Sequence, residues 1–300
     1  MTEKTILYPK SKLIGRSSGI IRTLIWVNNR ITETCLHSEF QTAAPHPTHH
    51  LLFVNTIDKS LIVNNLILMK INSLSFKRKP GETIPLEIHP TDIGSDTAII
   101  NFPGRTGAIS GYNEKHAVRA EFFKGETGAS VVRTVGPHDV DGESYHEASV
   151  NHVEATITYV LQNAVELFGQ KIQNLILVGH SNGGFGIIEN AHKFKEVSQL
   201  VLTAPAGKEG KDQVIKALAR FTGNLALITG SEDPECSPEQ LIEFRIAAHK
   251  AQTKSTVIDG GDHDFRGSEN GKRFAAVLNY ALDQENHPLD VHAEKAPELY

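Results

Sequence analysis

From residue 73 onward the chain alternates short β-rich runs with amphipathic helical patterns, and this leaves few architectures open. Strands read at 73–76, 83–88, 97–102, 130–135, 174–178, 199–203, 225–229 and 255–258, the first two joined through the Lys79-Pro80-Gly81-Glu82 turn signal. Helical patterns fall between or after them, at 113–123, 146–168, 183–194, 211–221, 238–251 and 271–282. In the second of these Val150, Val153, Ile157, Val160, Ala164 and Leu167 recur at three and four, one face of a long helix ended by Gly169. Two neighbouring parallel strands need a crossover of a dozen or more residues, usually a helix. The expected fold is therefore α/β, a mostly parallel sheet with helices on both faces.

Three hundred residues bury a core without staples, and two cysteines exclude a disulfide scaffold and a four-thiolate zinc site. The longest aliphatic runs, 66–69 and 225–228, fall far short of the roughly 18 residues a membrane helix needs. Residues 1–80 carry eleven Lys/Arg against four Asp/Glu, whereas the remaining 220 carry 19 against 31. An acidic body of this kind argues against nucleic acid as the principal partner. The basic leader has six Lys/Arg and one acid, Glu3, in its first 32 residues, and no apolar stretch of the secretory type. Cytoplasmic placement is the expectation, with organelle targeting as the alternative. The expected division is a basic N-terminal extension over 1–72, in which 51–55 and 61–71 read as edge strands, a catalytic domain over 73–284, and a polar tail over 285–300.

One segment carries chemistry. The aliphatic run Leu175-Ile176-Leu177-Val178 enters Gly179-His180-Ser181-Asn182-Gly183 and then a helical pattern. A strand that reverses sharply into a helix holds its central residue in a strained conformation, where side chains two positions away on either side would collide. Ser181 is thereby presented at a helix N-terminus, where N–H groups favour developing negative charge. A serine hydroxyl needs a base to become a nucleophile. His263, in the Gly-rich stretch Asp259-Gly260-Gly261-Asp262 to Phe265, follows the last strand and lies on the same sheet edge. The base needs a carboxylate to fix its tautomer, and Asp233, in Gly230-Ser231-Glu232-Asp233-Pro234, ends another strand on that edge, with Glu232 its nearest rival.

Nucleophile, acid and histidine in that chain order, each after a strand, resemble the α/β-hydrolases over roughly residues 73–284. The resemblance implies a Ser181, Asp233, His263 triad. It also implies an oxyanion hole from the N–H of Asn182 and one from the loop Asn101-Phe102-Pro103-Gly104-Arg105-Thr106-Gly107, by alignment that of Arg105. Pro103-Gly104 stands where the family often has His-Gly. About 17 residues separate the strand after the elbow from the next, room for one helix, so no inserted cap is expected. Gly104, His180 and Arg266 are the candidate substrate-contact residues. Arg105 and Arg266 together suggest a grip on an anionic group, the alternative being that Arg266 braces its loop through Asp262 or Asp264.

The activity expected is hydrolysis of a carboxylic ester or thioester through an acyl-enzyme. Acyl transfer or amide hydrolysis by the same residues, or a non-catalytic binding protein of this fold, are the alternatives. A small acyl substrate is the one partner implied, with no cofactor and no metal. His46, His49, His50 and the His138-Asp139-Val140-Asp141 stretch with His146 read as loop residues rather than ligands. Lys77-Arg78-Lys79 reads as the solvated tip of a hairpin, and Cys35 and Cys236 as inert thiols.

Overall fold

The computed structural model describes residues 2–5, 20–27, 30–37, 70–79, 81–91, 95–111, 115–138, 142–207 and 210–267, and scattered positions from 269 to 282. Two compact units divide the chain, one of Glu3–Ile71 and one of Asn72–Tyr300 with the first two residues. In the first, Ile20–Val27 and Arg30–His37 form an antiparallel hairpin with Val27 opposite Arg30. These strands were not among those expected, although Asn28-Asn29 between two β-branched runs is the composition of a two-residue hairpin connection. The strands expected at 51–55 and over 61–69 lie outside the described residues.

The second unit is built on the strands β1 (Lys70–Lys79), β2 (Glu82–His89), β3 (Thr97–Phe102), β4 (Ser130–Thr134), β5 (Asn174–His180), β6 (Val197–Thr203), β7 (Asn224–Gly230) and β8 (Gln252–Ile258). They lie in the order β1-β2-β4-β3-β5-β6-β7-β8. β2 is antiparallel to both its neighbours and every later pairing is parallel. The helices are α1 (Lys115–Thr127), α2 (Tyr145–Gln162), α3 (Ala164–Phe168), α4 (Asn182–Ala191), α5 (Lys211–Leu218) and α6 (Pro238–Ala247), followed by helical residues between 269 and 282. Between β6 and β7 the described residues hold one helix, α5. No helix among the described residues is long and apolar enough to cross a membrane.

Strand alternation sends successive side chains to opposite faces, and two cores result. Ile100, Phe102, Leu175, Leu177, Leu200, Leu202, Leu225 and Leu227 pack beneath α2, α4, α5 and α6. Ile99, Ile176, Val178, Val201, Ala226 and Ile228 pack with Phe123 of α1 and with Phe274, Val277, Leu278 and Leu282. Register aligns the strand ends. Phe102 pairs with Gly179, His180 with Thr203, and Gly230 with Ile258, so the loops after β3, β5, β7 and β8 share the carboxyl edge.

Two local expectations change. The helix read over 146–168 is two, α2 and α3, which meet at Asn163, where the backbone leaves helical values (φ −104°, ψ 14°) and both the N–H and the side-chain amide donate to the Tyr159 carbonyl, at 3.0 and 2.8 Å. The Lys77-Arg78-Lys79 run is solvated only at Lys77. The Arg78 side chain is only 7% exposed, and its guanidinium grips Glu143 through two bonds of 3.1 and 2.8 Å and Glu82 at 2.5 Å. The Arg78 bonds hold the Glu143 carboxyl well below the usual range, down to about 2. Glu143 precedes Ser144, which caps α2 in a reciprocal capping box with Glu147, so the hairpin is tied to the start of that helix.

Burial sets the contrast that tests this packing. Leu177 is fully buried, whereas Ile246 on α6 is 70% exposed. Leu177→Ala should cost about 2–5 kcal/mol and Ile246→Ala within about 0.5 kcal/mol. Urea midpoints at unchanged slope measure both.

Candidate active site

Ser181 stands between β5 and α4 with φ 50° and ψ −119°, a left-handed conformation that a residue with a Cβ adopts only when its surroundings force it. The forcing contacts are visible. Ser181 N–H donates to the Thr203 carbonyl at 3.0 Å, and its own carbonyl accepts from Ala206 and Phe185, each at 3.0 Å. A Cβ on Gly179 would come within 2.5 Å of Ile187 and 2.8 Å of the Gly184 Cα, and one on Gly183 within 2.5 Å of the Phe102 and Pro103 carbonyl oxygens. Both flanking glycines are required by close backbone approach, as the sequence spacing implies.

His263 and Asp233 arrive from the loops after β8 and β7. His263 Nε2 lies 2.9 Å from Ser181 Oγ, and its Nδ1 lies 3.0 Å from each carboxylate oxygen of Asp233. An ionised carboxylate only accepts, so Nδ1 carries the proton and Nε2 is left to accept from the hydroxyl. The Asp233 bond raises the His263 pKa above the ordinary histidine value and outweighs the opposing effect of burial. Burial pushes the Asp233 carboxyl up, but His263 and the N–H groups of Cys236 and Glu235, at 3.0 and 2.8 Å, bring it below its usual value. The two loops are stitched directly. Glu232 N–H donates to Gly261 O at 2.9 Å and Gly260 N–H to Ser231 Oγ at 2.8 Å. Glu232 itself is exposed, and Asp233 is the carboxylate on the histidine. Cys236 is buried, and burial pushes its thiol up to about 12.

The other expected residues divide. Asn182 opens α4, whose first N–H groups have no partner within the helix. Gly104 packs against Ser181, where a Cβ would lie 3.2 Å from Ser181 Cβ and 3.3 Å from His180 Cδ2. The Arg105 guanidinium lies over the Tyr145 ring, 4.1 Å from its centroid. His180 is engaged by the protein itself. Its Nδ1 faces the Thr203 carbonyl at 3.1 Å, its Nε2 faces Asp264 Oδ1 at 3.5 Å, and burial keeps its pKa low. Arg266 reaches Asp264 at 2.5 Å and Asp262 at 3.7 Å with its side chain 76% exposed, which is the loop-bracing arrangement. Among the described residues no group of three or more His, Cys, Asp or Glu is placed to hold a metal.

No protein-family model matches the sequence, and no curated protein sequence matches it. Solved structures do. A cold-adapted esterase from an Arctic intertidal metagenomic library superposes with TM-score 0.55 at 16% identity, over 72% of this chain and 96% of that one. An esterase of Pyrococcus furiosus gives 0.55 at 16%, over 76% and 97%. The fold is that of the α/β-hydrolases. An acylaminoacyl peptidase of Pyrococcus horikoshii matches too, with TM-score 0.57 at 14% identity over 79% of this chain and 46% of its own.

Sequence reading passed over the residues beneath the site. Tyr145 under Arg105, Thr203 under His180, and the fully buried Arg133 have no local pattern that marks them, because each meets a residue more than twenty positions away in sequence.

The His263 environment is measurable by histidine NMR. His263 should titrate above about 6.5. In Asp233→Asn, burial then acts without the carboxylate, and the value should fall below that of the parent. An equal value in both proteins would refute the assignment of Asp233 as the partner.

Proposed function

We propose that this protein is a serine hydrolase that cleaves a carboxylic ester or thioester through an acyl-enzyme. The observation that carries the reading is His263 bridging Ser181 Oγ at 2.9 Å and the Asp233 carboxylate at 3.0 Å. In this mechanism Ser181 Oγ attacks the acyl carbonyl carbon while His263 Nε2 takes its proton, and Asp233 stabilises the imidazolium. The Asn182 and Arg105 N–H groups receive the charge that develops on the carbonyl oxygen. His263 then protonates the departing alcohol or thiol. A water that gives its proton to the same nitrogen releases the acid and restores the serine. No cofactor or metal enters any step.

Amide hydrolysis is the second reading. The acylaminoacyl peptidase of similar fold motivates it, since acceptor and leaving group depend on pocket shape rather than on the triad. Matched ester, thioester and anilide substrates of one acyl chain separate the readings by relative kcat/KM. A small acyl compound is the partner in every version.

Ser181→Ala should abolish labelling by a fluorophosphonate probe and cut turnover by roughly 10⁴-fold or more, with the fold retained. Residual turnover near the parent's level would end the serine mechanism, and labelling at another serine would relocate it. Asp233→Asn should cost roughly 10⁴-fold, and Glu232→Gln little. Because His263 must be neutral to accept the proton and its pKa is raised, kcat/KM should climb with pH along a limb centred above about 6.5. A limb below that value would remove His263 from the base role.

A further inference from the structure

We infer that Arg133 is a positioning residue for the oxyanion loop, acting through a buried ion network that reaches from two strands to the loop backbone; this rests on the serine-hydrolase reading above. Arg133 on β4 has no exposed surface, and its three guanidinium nitrogens each have a separate task. Nε donates to His89 Nε2 at 2.9 Å, Nη1 donates to the Ile109 carbonyl at 3.1 Å, and Nη2 meets Glu87 Oε2. A guanidinium has no acceptor, so His89 Nε2 must accept and its Nδ1–H donates onward to Glu121 Oε1 at 2.7 Å. Two carboxylates on separate elements, β2 and α1, thus fix the orientation of one cation.

The Ile109 bond gives this cost a purpose. Taking a charge out of water is expensive, and a buried arginine needed only to join β2 and β4 could be replaced by an apolar residue with little loss. Ile109 lies in the loop 103–111, which carries the Gly104–Arg105 peptide against Ser181. This loop holds Thr106 at φ 53° and is fastened to the end of β4 and its continuation at three places. Thr106 N–H donates to Pro137 O at 3.2 Å, Gly136 N–H to Gly107 O at 2.7 Å, and Arg133 to Ile109 O. The first two are backbone bonds that any sequence could make at those positions, although Gly136 admits no Cβ, which would lie 1.9 Å from Gly104 O. The third belongs to one side chain. Beyond it, His116 N–H takes the Ser110 carbonyl at 3.0 Å, so the far end of the loop is fixed to α1 as well. Arg133 is therefore the side-chain anchor between the loop and the sheet. A shift of the loop by about 1 Å at this anchor would misplace the Arg105 N–H and cost on the order of 10²-fold in rate.

The test uses Arg133→Lys, which keeps the charge opposite Glu87 but cannot serve His89, Glu87 and Ile109 together, and Arg133→Met paired with Glu87→Gln, which removes the directly paired carboxylate with the cation and leaves Glu121 its bond to His89. Three quantities are measured on each folded variant with an activated acyl ester: kcat, KM, and the affinity of an alkyl boronic acid, whose tetrahedral adduct occupies the oxyanion position. The expected result is a 10- to 100-fold fall in kcat with a parallel fall in boronate affinity. KM and the acid limb of the pH profile should be unchanged, since Ser181, His263 and Asp233 are untouched. Either variant folded with kcat and boronate affinity within twofold of the parent overturns the inference, as does a loss confined to KM or a displaced limb. Ser181→Ala keeps the two readings apart. If it remains active, the serine mechanism is wrong whatever Arg133 does; if it is dead while the Arg133 variants are fully active, only the present inference fails.

Discussion

The backbone of Ser181 is held at a positive φ by its neighbours, and the rest of the site is arranged around that one conformation. Left to itself a serine at φ 50° would relax toward the ordinary helical or extended regions, a gain of roughly 1–3 kcal/mol. It does not, because its N–H is tied to Thr203, its carbonyl accepts from Ala206 and Phe185, and Gly179 and Gly183 allow β5, α4 and the end of β3 to close upon it. The strain fixes where the hydroxyl is presented. The parallel register then delivers the ends of β7 and β8 to the same edge, so that His263 and Asp233, 82 and 52 positions away in sequence, line up with it.

Electrostatic needs are met in two different ways on either side of the nucleophile. On the side of β7 and β8 the Asp233 carboxylate is held by the His263 imidazole and by the N–H groups of Cys236 and Glu235. On the loop side the charge is permanent. Arg133 is matched by Glu87 and, through His89, by Glu121. One flank of Ser181 is held mainly by dipoles and the other by an ion network.

Legibility in the sequence followed the range of the interactions. The elbow was readable because its glycines, strand and helix are contiguous, and the acid and histidine were readable because each closes an aliphatic run. The strand–helix alternation gave the layers, since burial on both faces of a parallel sheet leaves a local trace in runs such as 175–178 and 225–228. Arg78 was misread because a Lys-Arg-Lys run looks solvated until Glu143, far along the chain, is brought to it. The break at Asn163 was missed because the apolar spacing runs on without interruption through Ala164 and Leu167 while the amide side chain captures a carbonyl. Arg133 and His89 carry no motif at all; what makes them a pair is the antiparallel contact of β2 with β4.

The contact between the acid turn and the histidine turn bears on how such a chain can diverge. A Cβ on Gly230 would fall 2.0 Å from Gly261 O, so the two turns lie back to back with no space between them. Lengthening either would force the other to move, and the histidine would lose its carboxylate before any new pocket wall was gained. Length can change at less cost in a connection that touches neither turn, such as the one between β6 and β7.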